Sequence, residues 1–149
     1  MSEVALREAT RADLDRILEL LADDAIAAGR TTGLGAGELA AFEVIASDPH
    51  NELVVAELDG RVVGVMQLTY IPGLTRRGAT RLHVEAVRVD SALRGRGIGR
   101  TMMLGAHDRG RARGCTLAQL TSDKDRADAH RFYRSLGYAQ SHEGFKLVL

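Results

Sequence analysis

The chain has 149 residues, 45% of them hydrophobic and 27% charged, which is enough to bury one core and points to a single domain spanning residues 1–149. Its 20 basic and 20 acidic side chains cancel, which argues against a general nucleic-acid binder with its usual basic excess. The lone cysteine, Cys115, has no partner for an internal disulfide, no apolar run reaches membrane-spanning length and no charged-then-apolar leader opens the chain, so a cytoplasmic protein without a membrane partner is expected.

Residues 3–8 read as a first strand. Thr10-Arg11-Ala12-Asp13 resembles a capping box, and Leu14, Ile17, Leu18 and Leu21 follow at helical spacing, giving a first helix of about four turns. A glycine-rich loop, Gly29–Gly37, leads into a second helix over Glu38–Ser47, stopped by Asp48-Pro49-His50-Asn51. Leu53–Leu58 and Arg61–Tyr70 are two strands, and the Asp59-Gly60 pair between them signals a tight hairpin. A loop over Ile71–Thr80 carries Arg76 and Arg77, and Arg81–Val89 is another strand.

An Arg/Gly turn then leads into a long helix ending near Gly114, followed by a short strand, Cys115–Leu120. Asp125–Leu136 is the last helix, with Ala129, Phe132, Tyr133 and Leu136 on one stripe and Gly137 closing it. Tyr138–Leu149 holds one or two final strands. The order β-α-α-β-β-β-α-β-α-β-β predicts an α/β (α+β) fold with an open mixed, mostly antiparallel sheet and helices on both faces. Hairpins force antiparallel pairs, and the βαβ unit forces a parallel one.

The segment from Val87 to Arg100 carries the chemistry. A strand enters a turn with glycines at 95, 97 and 99 and arginines at 94, 96 and 100, and the turn opens a helix. Such a turn aims unpaired backbone N–H groups and the positive end of the helix dipole at one point, and glycine lets an anion approach closely. The ligand class is a pyrophosphate. A nucleoside-triphosphate loop requires a lysine after its glycines, and none follows here. A dinucleotide turn requires Gly-x-Gly-x-x-Gly, and Gly97-Ile98-Gly99-Arg100-Thr101-Met102 lacks the third glycine.

Arg94-Gly95-Arg96-Gly97-Ile98-Gly99 instead matches every specified position of Arg/Gln-x-x-Gly-x-Gly/Ala, and the chain thereby resembles the GNAT superfamily of N-acyltransferases. Phe132-Tyr133-Arg134-Ser135-Leu136-Gly137-Tyr138 resembles the helix-then-strand segment that follows the coenzyme loop in that superfamily, and the element order agrees over the whole chain. The resemblance implies acetyl-coenzyme A as co-substrate, with its pyrophosphate wrapped by Arg94, Gly95, Arg96, Gly97, Ile98, Gly99 and Arg100. It also implies that the strand holding Val87 and Val89 splays from the next strand, so that its backbone pairs with the pantetheine arm.

Glu85 is the candidate general base, matching a position often acidic in the family, and His83 is its rival two residues earlier. Strict alternation would put Glu85 on one face with Val87 and Val89. Tyr133 is the candidate general acid for the departing thiolate and lies in the coenzyme cleft. Arg126 stands where the family often has an asparagine against the pantetheine arm, so either it reaches a coenzyme phosphate instead or that contact is missing. Cys115 reads as a small buried hydrophobe, since the family transfers the acyl group directly.

The expected activity is acetyl transfer to a primary amine, of a small molecule rather than of a protein, by direct attack in a ternary complex. Acetylation of a protein N-terminus or lysine, and a non-catalytic acyl-coenzyme-A-binding regulatory module, are the alternatives. A local likeness of Asp128–Tyr133 and Gln140–His142 to aminoalkylphosphonate N-acetyltransferases suggests an anionic amine, with Arg76 and Arg77 as its partners. Exposed edge strands make a homodimer one expected assembly, and no metal is expected.

Overall fold

The computed structural model describes residues 3–22 and 34–149. Five strands form one open sheet in the order β1-β2-β3-β4-β5. They are β1 (Ala5–Glu8), β2 (Asn51–Leu58), β3 (Arg61–Pro72), β4 (Thr80–Val89) and β5 (Cys115–Gln119). Every neighbouring pair is antiparallel except β4–β5, which is parallel and joined by the long helix α4 (Ile98–Ala112). The expected mixed, mostly antiparallel sheet is therefore present.

Local signals explain most element boundaries. Thr10 and Asp13 form a reciprocal capping box, with the Thr10 N–H donating to Asp13 Oδ2 at 2.7 Å. One 3-10 turn (Arg11–Asp13) then leads into α1 (Leu14–Ala22). Of the glycine-rich loop, residues 29–33 lie outside the described residues. The second helix, α2 (Ala36–Ser47), begins two residues before the sequence signal. Asp59 and Gly60 both take positive φ (52° and 76°), as a two-residue hairpin with matched strand twist requires. The expected loop at 71–80 is shorter than read: β3 runs to Pro72, and a single helical turn, α3 (Thr75–Gly78), holds Arg76 and Arg77 exposed and left-handed.

Helices cover both faces. Val54, Ala56, Val63, Met66, Leu68, Leu82 and Val84 form one buried cluster with Ile98, Met102, Met103 and Ala106 of α4. Phe132, Tyr133 and Leu136 pack against its edge, two of them from α5 (Ala127–Ser135). On the other face Val55, Val62 and Val65 meet Leu14, Ile17 and Leu20 of α1 and Phe42 of α2. Small residues let α4 lie close to the sheet: a Cβ on Gly64 would meet Met102 Sδ at 2.6 Å, and one on Gly105 would meet Leu6 Cδ1 at 2.2 Å. Glu52, 7% exposed, ties β2 to α4 through Arg109 (2.8 Å) and Arg113 (3.2 Å) and accepts from the Tyr70 hydroxyl at 2.5 Å.

The expected final strands do not form. Residues 139–149 carry no strand, although Phe145, Leu147, Val148 and Leu149 have strand-like composition. A strand exists only against a neighbour's backbone, and none of the described residues supplies one there. No helix of the described residues is long and apolar enough to cross a membrane.

Candidate active site

The site grows from a change of pairing along β4. Its first half is bonded on both sides, antiparallel to β3 and parallel to β5, with His83 opposite Gln119 as the last β4–β5 pair. Beyond that pair β5 ends, and β4 continues to Val89 with its β5-facing edge unpaired. β4 and β5 thus share no pair beyond His83, and the rest of β4 leaves one edge of its backbone open.

On the β3 side the register slips shortly after, between Glu85 and Arg88. Gln67 pairs with Glu85 and Val65 with Arg88, so Ala86 and Val87 together oppose Met66. This is a β-bulge, and Ala86 takes φ +54°, unusual for a residue with a Cβ. The bulge corrects the sequence reading of this strand. Leu82 and Val84 point into the α4 face, and so do Val87 and Val89. One extra residue inverts the alternation, so Glu85 lies on the face opposite both valines rather than beside them.

Glu85 instead shares its face with His83, across from Gln67 and Thr69 of β3, with Asn51 of β2 beyond them. Thr69 Oγ1 donates to Asn51 Oδ1 at 2.8 Å. These five polar side chains continue the face that Val55 and Val65 cover with α1 and α2. Asn51, Gln67 and Thr69 were missed from sequence, although Gln67 and Thr69 alternate with buried Met66 and Leu68 in a visible period-two pattern. Glu85 is exposed; His83 is half-buried, and its Nδ1 is buried without a hydrogen-bond partner.

Val89 leads into the Arg/Gly turn through Asp90, which is pinned from three directions. Its N–H donates to Val63 O (2.8 Å), its carboxylate accepts from Arg16 of α1 (2.7 Å), and the other oxygen accepts from Ala92 N (3.0 Å). These bonds hold the Asp90 carboxyl below its ordinary pKa, the Ala92 N–H being the main cause. Gly95 and Gly97 then take φ +80° and +78°, and a Cβ on either would meet nothing within 4 Å. Their conformation needs glycine and the space in front of them is open. Gly97 begins α4 without a side-chain cap, and its carbonyl accepts from Thr101 N at 3.0 Å. The N–H groups of Ile98, Gly99 and Arg100 therefore precede the first intrahelical bond and face outward. Arg94, Arg96 and Arg100 are exposed around this point, whereas Ile98 is buried in the core.

Gly99 brings the two helices of the site together: a Cβ there would touch Phe132 Cζ at 3.5 Å and Val89 Cγ2 at 3.8 Å. Tyr133 follows Phe132 on α5. Burial raises its pKa above the ordinary 10, while the charges of Arg126 and Arg88 act the other way. Arg126, the residue that begins α5, and Arg88, on the unpaired half of β4, thus both stand in the field of this phenol. The three tyrosines differ in one respect. Tyr70 is bonded to Glu52 and Tyr138 to His107 Nε2 (2.8 Å), but the Tyr133 hydroxyl has no hydrogen bond among the described residues. Cys115 is half-buried with its thiol pushed up by burial, a poor nucleophile. No cluster that could hold a metal ion occurs among the described residues.

The chain matches the Acetyltransferase (GNAT) family over residues 14–138. It is 30% identical to the aminoalkylphosphonate N-acetyltransferase of Salmonella typhimurium over 148 residues, covering 97% of this chain and 90% of that one. It is 33% identical to the N-alpha-acetyltransferase RimI of Mycobacterium tuberculosis over 138 residues, 91% of this chain and 78% of that one. A solved structure from Bacillus halodurans C-125, described as a transcriptional regulator, is 43% identical and superposes with a TM-score of 0.96, covering 99% of this chain and 100% of that one. An open, glycine-built anion turn at an uncapped helix start, beside an unpaired strand edge, fits the co-substrate of this family, acetyl-coenzyme A. The chain belongs to the GNAT family of N-acetyltransferases.

Proposed function

We propose that the whole chain, 1–149, is one catalytic domain that transfers the acetyl group of acetyl-coenzyme A to a primary amine of a small molecule by direct attack in a ternary complex. The observation that carries this reading is the continuity of the unpaired β4 edge with the uncapped start of α4. One end offers main-chain groups to an extended pantetheine arm, and the other offers Gly95–Arg100 N–H groups to a pyrophosphate. Val87 and Val89 contribute through their backbone, and Arg126 contributes charge toward the coenzyme.

The acceptor amine enters over the polar floor of Asn51, Gln67, Thr69, His83 and Glu85. Glu85, directly or through water, takes the proton that a primary ammonium must lose before it attacks. The nitrogen adds to the thioester carbonyl, whose oxygen is stabilised by a backbone N–H near Val87. The C–S bond breaks as the nitrogen releases its second proton to water, and the Tyr133 hydroxyl donates its proton to the sulfur. The phenolate left behind lies in the field of Arg88 and Arg126 until it is reprotonated. The name of the Salmonella relative supports a phosphonate-bearing amine, with Arg76 and Arg77 exposed on α3 as its anion partners.

The RimI relative favours a second reading, acetylation of a protein N-terminus. The description of the Bacillus halodurans relative favours a third, a regulatory module that binds the coenzyme without turnover. Calorimetric titration with acetyl-coenzyme A, followed by thiol release over aminophosphonates, polyamines, aminoglycosides and N-terminal peptides, separates the three. Turnover of a small amine is expected. Turnover confined to peptides, or binding with no turnover at all, overturns the small-molecule reading.

A further inference from the structure

Tyr133, the proton donor of the proposed reaction, has a hydroxyl that no described residue bonds. A hydroxyl without a partner is not aimed by a hydrogen bond, and its direction comes from the ring that carries it. Whatever holds that ring therefore bears on the chemistry. Two residues stand behind it in series.

The nearer is Tyr138. Helix α5 closes in a Schellman turn: Gly137 takes φ +98°, its N–H donates to Arg134 O at 3.0 Å, and the Tyr138 N–H reaches back to Tyr133 O at 3.2 Å. This motif brings residue 138 against residue 133, and in this chain both are tyrosine. Their rings meet edge to face, with 70° between the planes and 6.1 Å between centroids. Phe132 adds a second ring contact to Tyr133, at 5.2 Å.

The farther is His107, on α4. Its Nε2 lies 2.8 Å from the Tyr138 hydroxyl, and the two rings are tilted against each other at 5.6 Å. Burial, aided by Arg111 and opposed by Asp108, holds the imidazole below its ordinary pKa of 6.5. Burial, with Tyr133 as the second cause, pushes the Tyr138 phenol up to about 12. Both partners are thus uncharged at neutral pH, and the bond between them needs no change of charge to form.

We infer, on the reading of Tyr133 as proton donor, that Tyr138 and His107 are positioning residues for acetyl transfer: one hydrogen bond and one ring contact fix the direction of the Tyr133 hydroxyl. The anchor of the proton donor is then carried by the same helix that starts at the glycine turn.

Rates are read as thiol release from acetyl-coenzyme A with aminoethylphosphonate as acceptor. Tyr138→Phe keeps the ring and removes the bond, and is expected to lower kcat about 10-fold with coenzyme affinity by calorimetry unchanged. His107→Leu is expected to do the same, and His107→Gln, whose amide can meet the hydroxyl, to recover most of the rate. In a Tyr133→Phe background, adding Tyr138→Phe should alter the residual rate by less than about two-fold, because its effect passes through the missing hydroxyl. With all three tyrosines replaced by meta-fluorotyrosine, the Tyr133 fluorine line should broaden in His107→Leu while the Tyr70 line holds. A fully active Tyr138→Phe beside a slow Tyr133→Phe, an undiminished loss in the Tyr133→Phe background, or an unaltered Tyr133 line overturns the positioning role alone. Unchanged kcat in Tyr133→Phe overturns both the proton donor and the pair that serves it.

Discussion

The two halves of β4 differ in what their backbone is for. From Thr80 to His83 the strand is bonded on both edges and behaves as an interior strand, and Val84 and Glu85 keep only the β3 side. From Val87 to Val89 it is bonded to β3 alone, and its side chains have changed face. In the proposed mechanism, side-chain chemistry gathers before the bulge, at His83 and Glu85, and main-chain chemistry after it. A single residue, Ala86, separates them. The proposed mechanism asks for both kinds of group around one carbonyl carbon, and the bulge lets a single strand present the two.

Four experiments break or sharpen that division. The largest effect belongs to Tyr133, the phenol facing the unpaired half. Tyr133→Phe is expected to lower kcat by about 10²–10⁴-fold while calorimetry shows unchanged coenzyme affinity; unchanged turnover would remove it from the chemistry. Since burial raises its pKa and the proton donor must be protonated, the alkaline fall in rate should lie above pH 10, not below it. Next comes the half before the bulge: Glu85→Gln should lower kcat/KM about 10²-fold and flatten the acidic limb of its pH profile. If His83→Gln does this instead, the base lies two register pairs back along β4.

The unpaired half and its turn are tested by Gly97→Val. Forcing a β-branched residue to φ +78° costs about 1–3 kcal/mol, so coenzyme affinity should weaken by roughly 5–100-fold with kcat at saturation nearly preserved. The smallest effect is at the junction. Ala86→Gly relieves left-handed strain but frees the unfolded chain, leaving stability within about 0.5 kcal/mol. Ala86→Val should cost about 1–2 kcal/mol by denaturant unfolding. If that valine substitution proves neutral, the bulge is not held in this form.

Much of the fold was legible because its signals are local. The Thr10/Asp13 box, the Asp59-Gly60 hairpin and the Arg94–Gly99 turn each depend on residues within a few positions, and each forms as read. The bulge at Ala86 was not legible, since alanine carries no preference for a left-handed backbone and the slip is imposed by β3. The face of Glu85 was misplaced for that reason alone. The polar floor had a readable period in Gln67 and Thr69, but its meaning needed the register that places Glu85 and His83 across from them. The final strands expected over 138–149 do not form, because alternating apolar residues alone supply no neighbouring backbone to pair with.

Strand parity comes only in whole steps. A bulge of one residue can be gained or lost by a single insertion or deletion, but never half removed, and losing this one would turn Val87 and Val89 out of the core together.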